Sequence, residues 1–199
     1  MNAELSVVVL GIGNILWADE GFGVRAVEAL HERYRFGDNV RLVDGGTQGL
    51  GLLPVVEDAD VLLILDAVDY GLEPGAMHLV DDADVPRYLT AKKMSLHQTS
   101  FQDVLALATL SGRAPGRMRL IGVQPLDLES YGASLSDAVR PRIGDALHQA
   151  CRYLAALGVA MQERPAGSPV EPLGPASVAR APYEDGAPRV DGGLAMEAR

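Results

Sequence analysis

Apolar residues along this chain fall into two kinds of run. Short unbroken stretches alternate with longer ones in which apolar positions recur every three or four residues. The first stretch, LSVVVL at 5–10, is closed by Gly11. Its uniform, β-branched character predicts a strand buried on both faces, as in a parallel sheet. Val24, Val27, Leu30 and Tyr34 then recur at helical spacing and predict a helix over 22–34. A short strand follows at 40–43, ending on Asp44-Gly45-Gly46. A short helix at 50–57 comes next, limited by Pro54 to one or two turns. VLLIL at 61–65 is the most apolar strand candidate and is expected at the sheet centre, with Asp66 at its end. A fourth strand at 76–80 is reached through Pro74-Gly75. That connection is too short for a helical crossover, so the fourth strand should run antiparallel to the third. Phe101, Val104, Leu105 and Ala108 mark a third helix, and 119–123 a fifth strand. Val139, Ile143, Leu147, Ala150, Leu154 and Leu157 mark a long last helix. Ser134 or Ser136 would cap it, a start near Asp137 would place Pro141 in its first turn, and Gly158 would end it.

The order β-α-β-α-β-β-α-β-α predicts an α/β fold, a three-layer α/β/α sandwich with a mixed, mostly parallel five-stranded sheet. This single domain occupies 1–161. From Gln162 the periodicity dissolves into Pro, Ala, Gly and charge, so 162–199 is expected to be a disordered tail. There is no internal repeat.

Composition narrows the partners. The 199 residues suffice for one core, and the formal net charge is −10. An acidic chain is repelled by nucleic acid and by anionic membranes, which leaves a small molecule or a protein. The lone Cys151 cannot make an internal disulfide or a multi-cysteine zinc site, and it falls on the apolar face of the last helix. The apolar run at 5–10 is too short to span a bilayer, and the first four residues lack a positive n-region, so a cytoplasmic location without membrane insertion is expected.

Ligands of open α/β sheets bind beyond the carboxyl ends of the strands. Here that rule selects three places. The loop after the first strand runs from Gly11 to Gly23 and begins like a dinucleotide fingerprint, but the third glycine would fall at Leu16. Asp19 and Glu20 sit where the helix begins. They read either as capping and dipole-complementing acids or, for Glu20 above all, as functional carboxylates. Asp66 ends the most apolar strand, where a carboxylate must be paired, hydrogen-bonded or cation-bound, and Asp69 is its alternate. His97 lies just before the third helix, whereas His31 and His148 fall in helical patterns and His78 in a strand. Glu20, Asp66 and His97 together supply two oxygens and one imidazole nitrogen, a set able to hold a borderline divalent metal with positions left open. The turn Asp44-Gly45-Gly46-Thr47 lies on the same rim. It reads either as a tight turn or as the lining of a substrate groove.

In order along the chain, the segments VLGIGNILWADEGFGV at 9–24, VDGGT at 43–47, LDA at 65–67 and SLHQ at 95–98 resemble the motifs of hydrogenase maturation proteases. The resemblance covers roughly 5–159. It implies that Glu20, Asp66 and His97 are the metal-binding and catalytic residues and that the sheet has five strands. It further implies an endopeptidase acting on the large-subunit precursor of a nickel–iron hydrogenase. The resemblance implies as well that this precursor already carries nickel, that the protease recognises it, and that cleavage releases a C-terminal peptide. Other divalent ions can occupy such a site in vitro. Two other readings are a nucleotide-binding α/β enzyme, suggested by Gly11 and Gly13 with Asp44 at the second strand end, and a non-catalytic metal or protein chaperone on the same fold.

Overall fold

Five strands form one sheet in the order β3-β1-β4-β6-β5. The computed structural model describes residues 5–90 and 99–174. Strand β1 (Val7–Ile12) leads through a 3-10 turn (Ala18–Gly21) into α1 (Phe22–Arg33), the short β2 (Tyr34–Phe36) and β3 (Val40–Gly46). A 3-10 turn (Gly49–Leu52) and α2 (Leu53–Glu57) precede β4 (Val61–Ala67). Then come β5 (Met77–Asp81), α3 (Asp84–Thr90), α4 (Thr99–Leu110), β6 (Arg117–Val123), α5 (Arg142–Ala156) and β7 (Met161–Glu163). Strands β3, β1, β4 and β6 are parallel, and β5 is antiparallel to β6.

Strand alternation divides the core in two. Val7, Val9, Leu63 and Leu65 pack with Phe22, Val27 and Leu30 of α1 and with Leu147 and Leu154 of α5. Val8, Leu10, Leu62 and Ile64 pack on the other face with Val56 of α2, Val85 of α3 and Val104 of α4. Every residue of β1 and β4 is buried, the reason both read as unbroken apolar runs. This is the predicted three-layer α/β/α sandwich, with β4 at its centre.

Several details differ from expectation. The fourth strand does run opposite to the third, but its partner is β6. Helix α3 carries Pro86 and spans seven residues, too few to show a period. The last helix starts at Arg142, with Pro141 at its N-cap and no side-chain cap. Ser136 is engaged elsewhere, as described below. Gly158 does end that helix, in the left-handed conformation at φ 78°. The boundary drawn at 161 falls inside β7, which pairs antiparallel with β2 as a separate ribbon.

Candidate functional site at the carboxyl rim

Strand order defines the site. From β1 the chain crosses to β3 on one side, and from β3 it returns to β4 on the other. The crevice of such a sheet opens where the order reverses, at the carboxyl ends of β1 and β4. Glu20 follows β1 and Asp66 nearly ends β4.

Two glycines bring these elements together. A Cβ on Gly23 would collide with the carbonyl oxygens of Leu65 and Ile12, so the first turn of α1 sits directly on the ends of β1 and β4. Gly13 has φ +136°, and a side chain there would strike the Glu20 carbonyl. The loop closes on itself through the Asn14 N–H to the Glu20 carbonyl at 3.1 Å and the Glu20 N–H to the Trp17 carbonyl at 2.9 Å. The 3-10 turn bearing Glu20 packs against β4. Glu20 is 6 % exposed and Asp66 1 %.

The adjacent acids Asp19 and Glu20 have different work. Asp19 is fully buried. Its carboxylate accepts from the N–H groups of Leu126 (2.9 Å), Asp127 (3.0 Å) and Ser136 (2.7 Å) and from the Ser136 hydroxyl (2.8 Å). It thus clamps the loop following β6 onto the loop following β1, and the capping reading of Asp19 gives way to a long-range one. Ala18, with a strained φ of 36°, sits between this clamp and the edge-to-face pair of Trp17 and Tyr131. No short-range pattern announces these contacts, which span more than a hundred residues.

Asp69 also proves structural. Its carboxylate accepts from the Gly71 N–H at 3.2 Å and the Gln124 amide at 3.0 Å. Gln124, which the sequence did not single out, is 5 % exposed, and its carbonyl oxygen takes the N–H groups of Tyr70 and Leu72. It fixes the loop after β4 and leaves Asp66 as the rim carboxylate of that strand.

His97 lies outside the described residues. Helix α4, beginning two positions later, indicates where the chain re-enters. Beyond its far end Arg113 pairs with Glu57 at 2.9 Å, just ahead of β4. A twelve-residue helix is about 18 Å long, so its N-terminus reaches the opposite, carboxyl rim. It packs on the sheet face of Leu62 and Ile64, the face to which Asp66 alternates. Among the described residues no group of three or more His, Cys, Asp or Glu is placed to hold a metal ion. The predicted set requires His97 as its third member. Of the other histidines, His148 is exposed, His31 is half-buried against the Glu171 carbonyl, and His78 stacks near Tyr70. Cys151 packs against the α1–α5 core, where burial raises its thiol pKa and opposes the reactive thiolate.

Asp44 lies near the end of β3, on the α1 face of the sheet. Burial pushes its pKa up, only partly offset by the Gly46 N–H and the nearby Arg25. A carboxyl whose folded-state pKa is raised stabilises the fold below its unfolded pKa and loses that contribution as pH climbs through the folded value. Asp44→Asn is therefore expected to raise the melting temperature at pH 7 by roughly 1–3 °C, the group being partly solvated. The gain should disappear at pH 3, and equal gains at both pH values would contradict the assignment.

The fold and rim describe an α/β protein that carries two buried carboxylates, Glu20 and Asp66, on neighbouring elements at a sheet's switch point. The phosphate position ahead of α1 is filled by the turn carrying Asp19 and Glu20. Comparison with known proteins makes the class specific. The family model for hydrogenase maturation protease matches residues 24–153. The chain is 55% identical over 183 residues to the hydrogenase expression/formation protein HoxM of Azotobacter vinelandii, covering 92% of this chain and 87% of the relative. That alignment must run past the last helix. It is 41% identical over 156 residues to the hydrogenase 2 maturation protease of Escherichia coli, covering 78% and 94% of the two chains. The solved hydrogenase maturating endopeptidase HybD from E. coli superposes with a TM-score of 0.76 at 40% identity, covering 80% of this chain and 98% of that one. The chain belongs to the hydrogenase maturation protease family and is an endopeptidase that processes a hydrogenase precursor. Membership removes the nucleotide-binding and chaperone readings. Among the described residues no helix is long and apolar enough to cross a membrane.

Proposed function

We propose that this endopeptidase removes the C-terminal extension of a nickel–iron hydrogenase large-subunit precursor, and that Glu20, Asp66 and His97 engage the nickel which that precursor carries. The observation that supports this most is the placement of two buried carboxylates at the switch point, on elements in contact with each other. Helix α4 begins two residues after His97 on the face to which Asp66 alternates.

Two carboxylates and an imidazole suit a borderline divalent ion and leave positions open for the substrate's own ligands and water. Binding the substrate-borne metal fixes the scissile peptide beside it, which converts recognition into positioning. The set Glu20, Asp66 and His97 contains no serine or cysteine, so in this reading water attacks, activated by the metal or by a carboxylate of the set. Asp44, Gly46 and Thr47 border a groove of about 230 Å³ next to the β1–α1 loop, and the turn Asp44-Gly45-Gly46-Thr47 would seat the precursor's chain. The test is the mass of purified nickel-loaded precursor after incubation with the protein. A loss equal to the C-terminal extension is expected, and an unchanged mass would refute the proposal.

A further inference from the structure

Beyond β7 the chain does not leave the domain. It follows α1 back toward the carboxyl rim. The Arg164 N–H donates to the Arg33 carbonyl at 2.7 Å, and its Nε to the His31 carbonyl at 3.1 Å. Glu171 meets His31 through its carbonyl at 2.9 Å, and Leu173 packs against the α1–α5 core. Leu173 also closes a small cavity with Glu28 and His31. Gly174 then arrives at Asp44, whose Oδ2 lies 3.1 Å from where a Cβ on Gly174 would stand. The contacts move steadily up α1, from Arg33 to His31 to Glu28.

One turn further along α1 is Val24, about 6 Å on. Val24 belongs to the groove beside the site, whose walls are Ile15, Leu16 and Val24 on one side and Asp44, Gly46 and Thr47 on the other. Asp44 is thus both the last contact of the strap and the near wall of the groove. Two extended residues, spanning about 7 Å, cover the remaining distance.

We propose that this groove is the docking site of the protein's own segment 175–180, Pro-Ala-Ser-Val-Ala-Arg. Its side chains are small and mostly apolar, which suits a groove of about 230 Å³ walled by Ile15, Leu16 and Val24. Its one charge, on Arg180, is opposite in sign to the net charge of −10. Docking rests on the path of the strap alone. One consequence rests on the function proposed above: because Asp44–Thr47 would also seat the precursor, the segment competes with it.

Limited trypsin digestion of the full-length protein reads the docking without any precursor. Cleavage after Arg180 and after Arg189 is timed and normalised to a free synthetic peptide of residues 175–199. A docked segment is cut only from its released population. The Arg180 bond should therefore be cut roughly tenfold or more slowly than in the peptide, and the Arg189 bond at the peptide's rate. Ile15→Lys places bulk and a like charge in the groove, and Thr47→Trp fills it from an exposed position. Circular dichroism identifies which of the two variants is folded. Recovery of Arg180 cleavage in either folded variant supports docking. Cleavage of the wild-type protein at the peptide's rate, or protection that persists unchanged in the folded variants, would overturn it. Neither outcome depends on whether the precursor is processed.

Discussion

Asp66→Asn is expected to abolish processing of a nickel-bearing precursor while leaving a folded protein. The substitution removes a charge and the oxygen that would ligate the metal in the proposed set, and keeps the size of the side chain. Asp66 is 1 % exposed at the end of the central strand, and its neighbours Leu65 and Ala67 are buried in the core, so an isosteric amide leaves the packing in place. If the proposed three-donor set positions the scissile bond, losing one donor should cost at least about a hundredfold in rate, since positioning and charge stabilisation are lost together. Glu20→Gln and His97→Gln should behave alike, because residues of one proposed set would act as a unit with effects that do not add. The measurement is a cleavage time course with circular dichroism on each variant. A folded Asp66→Asn that cleaves at the wild-type rate would take Asp66 out of the site.

Asp19→Ala should do the opposite and act first on stability. The alanine leaves three backbone N–H groups and the Ser136 hydroxyl without their acceptor, at a carboxylate that is fully buried. Hydrogen bonds to a charged acceptor, lost from buried donors, place this among the large single-site effects, about 3–5 kcal/mol. In a domain of this size that corresponds to a fall of roughly 10 °C in melting temperature. Processing should weaken as well, since the loop after β6 no longer holds the turn that presents Glu20. Melting within a degree or two of wild type would show that this loop is held by other contacts.

The contrast between these neighbours marks how far the sequence can be read. The strands of the main sheet are legible because each is buried on both faces or ends on a clear polar residue. The strand rule then leads to Asp66 and to the Asp19–Glu20 pair. Which of the pair is structural is not legible, because the partners of Asp19 lie more than a hundred residues away at Leu126, Asp127 and Ser136. The same contact explains the displaced start of the last helix: Ser136 bonds to Asp19, and Pro141 takes the cap. Strands β2 and β7 leave no apolar signature because each has three residues and an exposed face. The strap at 164–174 reads as tail because backbone contacts to Arg33 and His31, made through carbonyls and N–H groups, hold much of it.

We have proposed that this endopeptidase reads the metal its substrate carries. The most direct measurement is the intact mass of one purified large-subunit precursor, prepared nickel-loaded and nickel-free, after incubation with equal amounts of the protein. The loaded precursor is expected to lose its C-terminal extension and the nickel-free precursor to keep its full mass. Equal shortening of both would contradict recognition of substrate-borne nickel through Glu20, Asp66 and His97.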